Sequence, residues 1–213
     1  AGLRDAWLYT GNEEARTMFL KLCDWAITII SPLSDAQMEA MLENEFGGMN
    51  ESFADAYQMT KDEKYLIAAK RFSHRWLLDS MVKGVDNLDN KHANTQVPKV
   101  IGYGRVAQLD NNADYKRAAT FFWDCVANRR SLSFGGNSRR EHFPSKDDCI
   151  SYVEDRQGPE TCNTYNMLKL TEDLFRMDPK AEYAEFYERA LFNHILSSQH
   201  PEHGGYVYFT SAR

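Results

Sequence analysis

Asp55 to Arg75, DAYQMTKDEKYLIAAKRFSHR, decides the fold: it reads as an amphipathic helix, a short polar turn and a second amphipathic helix. The same design returns in DAWLYTGNEEARTMFLKLCDW from Asp5, RVAQLDNNADYKRAATFFWDC from Arg105 and DLFRMDPKAEYAEFYERALFN from Asp173. The turns are Thr10-Gly11-Asn12, Thr60-Lys61-Asp62, Asp110-Asn111-Asn112 and Asp178-Pro179-Lys180. Gly, Asn, Asp and Pro supply the backbone shapes that such turns require. Thr10, Thr60, Asp110 and Asp178 share one slot, at intervals of 50, 50 and 68 residues. Five residues further on stand Ala15, Tyr65, Tyr115 and Tyr183. After Tyr65, the residues Leu66, Ala69, Phe72 and Trp76 follow at helical spacing, and no strand-type alternation is prominent. Helix pairs on this period predict an all-α chain, either an open solenoid or a closed α/α toroid.

Composition narrows the partners. The net charge of -6, with no basic stripe, argues against nucleic acid. No apolar run approaches the ~20 residues of a membrane helix. The longest, Trp25 to Ile30, stops at Ser31-Pro32, and no signal peptide is visible at Ala1. The four cysteines, Cys23, Cys125, Cys149 and Cys162, form no C-x-x-C pair, which disfavours a zinc ribbon or a thioredoxin-type site. Cys23 and Cys125 fall in apolar helical patterns and are expected to be buried thiols.

The long third interval holds an insertion within Ser131 to Glu160, rich in Gly, Ser, Pro and charge. An irregular loop on a regular repeat is a place to look for function. The connections between pairs emerge at one end of such a layer and the turns within pairs at the other. Glu45, His92, Glu141, Glu160 and Cys162 all sit in or beside these connections and are therefore expected on one rim.

Each has a plain alternative. Glu45 reads equally as a solvated acid, and His92 as a loop hydrogen-bonder. Arg139 and Arg140 precede Glu141 and favour its ionised form, whereas a general acid needs burial that favours the protonated one. An ion pair therefore fits Glu141 as well as acid catalysis does. Glu160 and Cys162 stand at a helix start, where Pro159 suits the first turn and Thr161 or Asn163 could cap it. Within a regular helix, i and i+2 diverge by about 200°. The pair can therefore share an ion only across an irregular entrance. Zinc accepts carboxylate and thiolate, but it wants more than two protein ligands.

The blocks EFGGMNESFADAY (from Glu45), HANTQVPKVIG (from His92), GGNSRREHF (from Gly135) and ETCNTYNMLKLTEDLF (from Glu160) carry a resemblance across the chain. The chain resembles the β-L-arabinofuranosidases of glycoside hydrolase family 127 and the related family 146. The resemblance implies part of an (α/α)6 toroid, residues 1–213 being an incomplete catalytic domain with further parts on both sides. It implies a zinc ion held by Glu160 and Cys162 together with a cysteine pair that follows the GGYVYFTSAR-like segment. It implies Glu141 as general acid/base and His92 as a sugar contact. Gly48 and Tyr103 stand at two further sugar-contacting positions, and Glu45 is grouped with them. The implied chemistry is retaining hydrolysis of L-arabinofuranosyl plant glycans by a cysteine thiolate beyond this chain, so these 213 residues alone are expected to be inactive.

Two other readings stay open. One is a different α/α-toroid carbohydrate hydrolase or lyase, with Glu45 or Asp147 as a second acid facing Glu141. The other is a non-catalytic helical-repeat binding scaffold. The compartment is not set by the sequence; a periplasmic or secreted location is favoured over a cytoplasmic one, and a zinc-bound thiolate can persist there.

Overall fold

The computed structural model describes residues 1–44, 46–148 and 150–212. In chain order its α-helices are α1 (Gly2–Thr10), α2 (Glu13–Ile30), α3 (Asp35–Leu42), α4 (Met49–Thr60), α5 (Glu63–Arg71), α6 (Arg75–Val82), α7 (Ala93–Asp110), α8 (Ala113–Arg129), α9 (Ile150–Glu154), α10 (Thr161–Met177) and α11 (Ala181–Ala190). Among the described residues there are no strands, only isolated bridges. No helix there is long and apolar enough to cross a membrane. The all-α class and the four hairpins, α1/α2, α4/α5, α7/α8 and α10/α11, are as the repeat predicts.

Three of the four turns are built alike. Gly11, Lys61 and Asn111 end the first helices in the left-handed region. The next residues, Asn12, Asp62 and Asn112, cap the second helices by accepting backbone N–H groups of Ala15, Lys64 and Asp114. One residue reverses the chain and the next satisfies an orphan donor, so the whole turn is coded locally. The fourth turn departs: Asp178 is not left-handed (φ -155°), and the extended Lys180 precedes α11 without a side-chain cap.

The first helices of the pairs form an inner layer. Helix α7 lies at its centre, packed against α4 and α10 and backed by α8. The approach of α4 is close enough that a Cβ on Gly102 would stand 2.0 Å from Asn50, whose amide donates to the carbonyl of Lys99 at 2.7 Å. The core runs between the layers: Phe53, Leu77, Val97, Tyr103, Phe122, Trp123 and Leu170 are buried. Trp123 meets Tyr183 edge-on at 4.6 Å and donates to Thr171 at 2.8 Å. Cys23 and Cys125 are buried free thiols, as expected.

The helical spacing from Leu66 to Trp76 does not make one helix. Helix α5 ends at Arg71 and α6 starts at Arg75, with His74 left-handed (φ 43°) between them. Tertiary contacts impose the break. Tyr103 donates to the carbonyl of Ser73 at 2.6 Å, and Glu39 accepts the first N–H groups of the new helix, from Arg75 and Trp76.

Candidate active site

The N-termini of α4, α7 and α10 open at the end of the layer opposite the tight turns, and the long connections meet there. Arg130, buried at the end of α8, binds two of them together. It pairs with Asp86 (2.9 Å) and Asp89 (2.6 Å), and it donates to the carbonyl of Pro144 (2.7 Å). With those segments in place, their backbones join. Asn90 donates to Phe143, Phe143 to Lys91, and Ala93 to Glu141, at 2.8–2.9 Å. This pairing sets His92 opposite His142, their rings edge-on at 5.2 Å.

Glu141 projects from a tight reversal. Arg140 (φ 47°) and Glu141 (φ 68°) are consecutive non-glycine residues in the left-handed region. Each such residue costs roughly 1–3 kcal/mol, and such strain persists where surrounding contacts hold it. Here Arg140 is anchored by an ion pair with Asp155 at 2.7 Å and by a backbone bond to Gln157 at 2.9 Å. The ion pair with Arg139 or Arg140 that the sequence allowed is not formed among the described residues. The Glu141 carboxylate instead accepts the Tyr208 hydroxyl at 2.7 Å on Oε1 and faces His92 Nε2 at 3.6 Å with Oε2. His92 caps α7, its Nδ1 accepting the N–H of Thr95 at 3.1 Å. The proton of the neutral ring therefore belongs on Nε2, the nitrogen turned to Glu141.

Glu160 and Cys162 straddle the start of α10. Glu160 takes the cap position itself, in an extended conformation (ψ 158°), in place of Thr161 or Asn163. An irregular entrance of this kind is what residues two apart require if they are to face one ion. The inserted loop grips it: the Glu160 N–H lies 3.4 Å from the Ser138 hydroxyl, and Asn163 bonds Asn137. From the other side comes residues 204–210. Thr210 donates to Pro159 at 2.8 Å and Phe209 bridges to Glu160. The segment lies so close that a Cβ on Gly158 would meet the Thr210 carbonyl at 2.1 Å.

The electrostatics are those of a site short of positive charge. Glu160 is almost wholly buried, and its Oε2 has no hydrogen-bond partner among the described residues. Burial, then the carboxylates of Glu160 and Glu141, push the Cys162 thiol up. Hydrogen bonds to Glu141 and Glu160 push the Tyr208 phenol up, so it stays a donor at neutral pH. An orphaned carboxylate oxygen beside a thiol is a donor set that zinc suits, and a cation there would relieve both groups. Among the described residues no cluster of three metal-binding side chains forms.

The structure thus brings together His92, Glu141, Glu160 and Cys162. Gly48 caps α4 at the same end, on the wall of an adjoining cleft. Tyr103 is not with them: it is fully buried, its hydroxyl spent on Ser73. Glu45 lies outside the described residues. Sequence reasoning missed Tyr208, although the aromatic and β-branched run Tyr206-Val207-Tyr208-Phe209 after Gly204-Gly205 is strand-like and could have flagged it.

The family model "Beta-L-arabinofuranosidase, GH127 catalytic domain" matches residues 1–213. Two solved structures share the fold. A GH127 β-arabinofuranosidase aligns with a TM-score of 0.60 and 22% identity, over 76% of this chain and 27% of that one. A GH127 β-L-arabinofuranosidase from Geobacillus stearothermophilus T6 aligns with a TM-score of 0.58 and 16% identity, over 76% of this chain and 30% of that one. The chain therefore spans less than a third of the length of either. No curated protein matches it.

Proposed function

The chain belongs to the glycoside hydrolase family 127 catalytic-domain family, and on that premise we propose that it forms part of a retaining β-L-arabinofuranosidase acting on L-arabinofuranosyl-containing plant glycans. The observation that carries the reading is the meeting of Glu141, His92, Tyr208, Glu160 and Cys162 from four separate segments at one rim. A structural ion pair needs none of this convergence.

In this reading Glu141 is the general acid/base. It protonates the leaving oxygen of the glycosidic bond and then takes a proton from the attacking water. Tyr208 and the Nε2–H of His92 face its two oxygens. Those donors orient the carboxylate, and the strained turn beneath it limits its wandering. His92 also reaches the sugar from the start of α7. Glu160 and Cys162 would hold a zinc ion, with further ligands from outside these residues; bound there, the metal would supply the positive charge that keeps thiolates ionised. The nucleophile is assigned to a cysteine thiolate outside the 213 residues, Cys162 being a metal ligand.

The test uses the full-length enzyme with nitrophenyl β-L-arabinofuranoside. Glycone transfer to methanol with retained configuration, and zinc that is present in the wild type and lost in Cys162→Ser together with activity, support the reading. A zinc-free preparation of full activity, or an inverted product, sinks it.

A further inference from the structure

Helix α11 does not stop at Ala190 but passes into a π turn, Leu191–Ile195. Backbone bonds in a π turn span one residue more than in an α-helix, and such turns recur at functional sites. This one carries His194, whose side chain is fully buried. The ring acts on both sides of the α10 entrance. Its Nδ1 shares a hydrogen bond of 2.9 Å with the hydroxyl of Thr164, two residues past Cys162. Its Nε2 makes no full hydrogen bond among the described residues. The acceptor that acts on the ring is the carbonyl of Pro159, the residue before Glu160. The same carbonyl accepts the N–H of Thr210 at 2.8 Å. Burial pulls the imidazole down to about 4, with the Pro159 carbonyl opposing it, so the ring is neutral at pH 7 and carries one N–H.

The surroundings leave the ring little freedom. Phe134 lies 5.2 Å away, ring to ring. A Cβ on Gly135 would stand 2.6 Å from Ala190, and a Cβ on Gly136 would stand 2.5 Å from Pro159. The inserted loop is therefore wedged between the end of α11 and the entrance to α10. Filling space does not explain an imidazole here. Burying the ring nitrogens and the Thr164 hydroxyl costs free energy that an apolar pair of the same shape would avoid. What the polar pair supplies is a fixed direction, since a hydrogen bond between buried groups holds only one geometry well. That direction is imposed on the few residues that include Glu160 and Cys162.

We propose that His194 is a positioning residue for the Glu160–Cys162 half-site: through Thr164 and Pro159 it holds the segment that carries the two ligands in the orientation one ion requires. The inference rests on the zinc reading above. His194 touches neither the metal nor the reacting atoms, and its part is to keep the entrance from relaxing into a regular helical start, where residues two apart would diverge.

The experiment uses the full-length enzyme, stripped of metal and reloaded, with zinc affinity measured by competition with a chromophoric chelator. His194→Leu is expected to raise the zinc dissociation constant by about ten- to hundredfold, as loss of outer support for metal ligands does. His194→Asn, which keeps a polar atom near the Nδ1 position, is expected to recover part of that loss. A merely structural role would lower the melting temperatures of the metal-free and loaded enzymes alike and leave the dissociation constant where it was. Thr164→Val cuts the same bond from its other end, and it decides the matter if His194→Leu does not fold. Variants that bind zinc as the wild type does overturn the proposal. Hydrogen exchange on the metal-free enzyme separates it from the functional reading. Should the wild type bind no zinc, the zinc reading fails by itself. Faster exchange in the variants at the amides of residues 160–164, with exchange unchanged at the Asn111-Asn112 turn, then keeps His194 as the support of the entrance, and unchanged exchange at 160–164 removes it.

Discussion

The two ends of the helix layer are made by different means. At the turn end, three hairpins reverse through the same pair of residues, one left-handed and one capping, at Gly11-Asn12, Lys61-Asp62 and Asn111-Asn112. The capping bonds that reverse the chain there are made within a few residues of one another. At the rim, order is imposed from afar. Tyr208 reaches Glu141 across 67 residues, Arg130 reaches Asp86 across 44, and Asn166 reaches Asn94 across 72. The strained pair Arg140-Glu141 and the orphaned oxygen of Glu160 lie at this end as well. One end is scaffold that each segment makes for itself; the other is a site that exists only after the segments have docked.

Substitutions at the two ends should therefore separate activity from stability. The largest effect is expected from Glu141→Gln, which removes the transferable proton and keeps the shape. In the full-length enzyme kcat should fall by about 10²–10⁴-fold at an unchanged melting temperature. A loss of melting temperature in its place would make Glu141 a structural residue. Next comes Arg130→Met, which strands the nearly buried Asp86 carboxylate beneath both connections. Breaking such a pair costs about 3–5 kcal/mol. Chemical denaturation should show that loss, and residual folded enzyme should be slower because His92 and Glu141 are no longer held together.

At the turn end, Asp62→Ala removes a cap and should cost about 1 kcal/mol without altering kcat or KM. An altered kcat would contradict the division between the ends. A pH-dependent effect sits on the inner face. Burial raises the Asp173 carboxyl to about 6, above its ordinary 3.8. The folded chain thus binds a proton that the unfolded chain releases more readily. That contribution favours folding at low pH and is lost as pH rises from about 4 to about 6. Asp173→Asn should accordingly raise the melting temperature at pH 7 relative to wild type and leave it unchanged near the bottom of that range. An equal shift at both pH values would remove titration as the cause.

The hairpins were legible because their code is short-range: an amphipathic stripe, a turn residue tolerant of positive φ, and a capping side chain. The rim was legible in outline for a topological reason, since connections between pairs emerge together. That topology alone puts His92, Glu141, Glu160 and Cys162 in one region. The failures mark where local pattern loses to packing. The spacing from Leu66 to Trp76 suits one helix, yet Tyr103 and Glu39 capture backbone groups on either side of His74 and divide it. Tyr103 fell among the sugar contacts by alignment of blocks, while its phenol is a core group. Tyr208 carried a weak signal because a strand-like run of only four residues, making isolated bridges, is short.

The sequence by itself determined the helix pairs, their period, the capped turns and the end of the layer at which polar side chains collect. Tertiary structure alone decided which of those side chains meet. The contacts among Glu141, His92, Tyr208, Glu160 and Cys162 depend on backbone pairing between segments distant in the chain, on the buried Arg130 clamp and on the close approach at Gly158. A helix or a turn is stabilised by neighbours in sequence and so can be read from them. A site closed by long loops has no such neighbours, and its geometry follows only from the packing that brings the loops together.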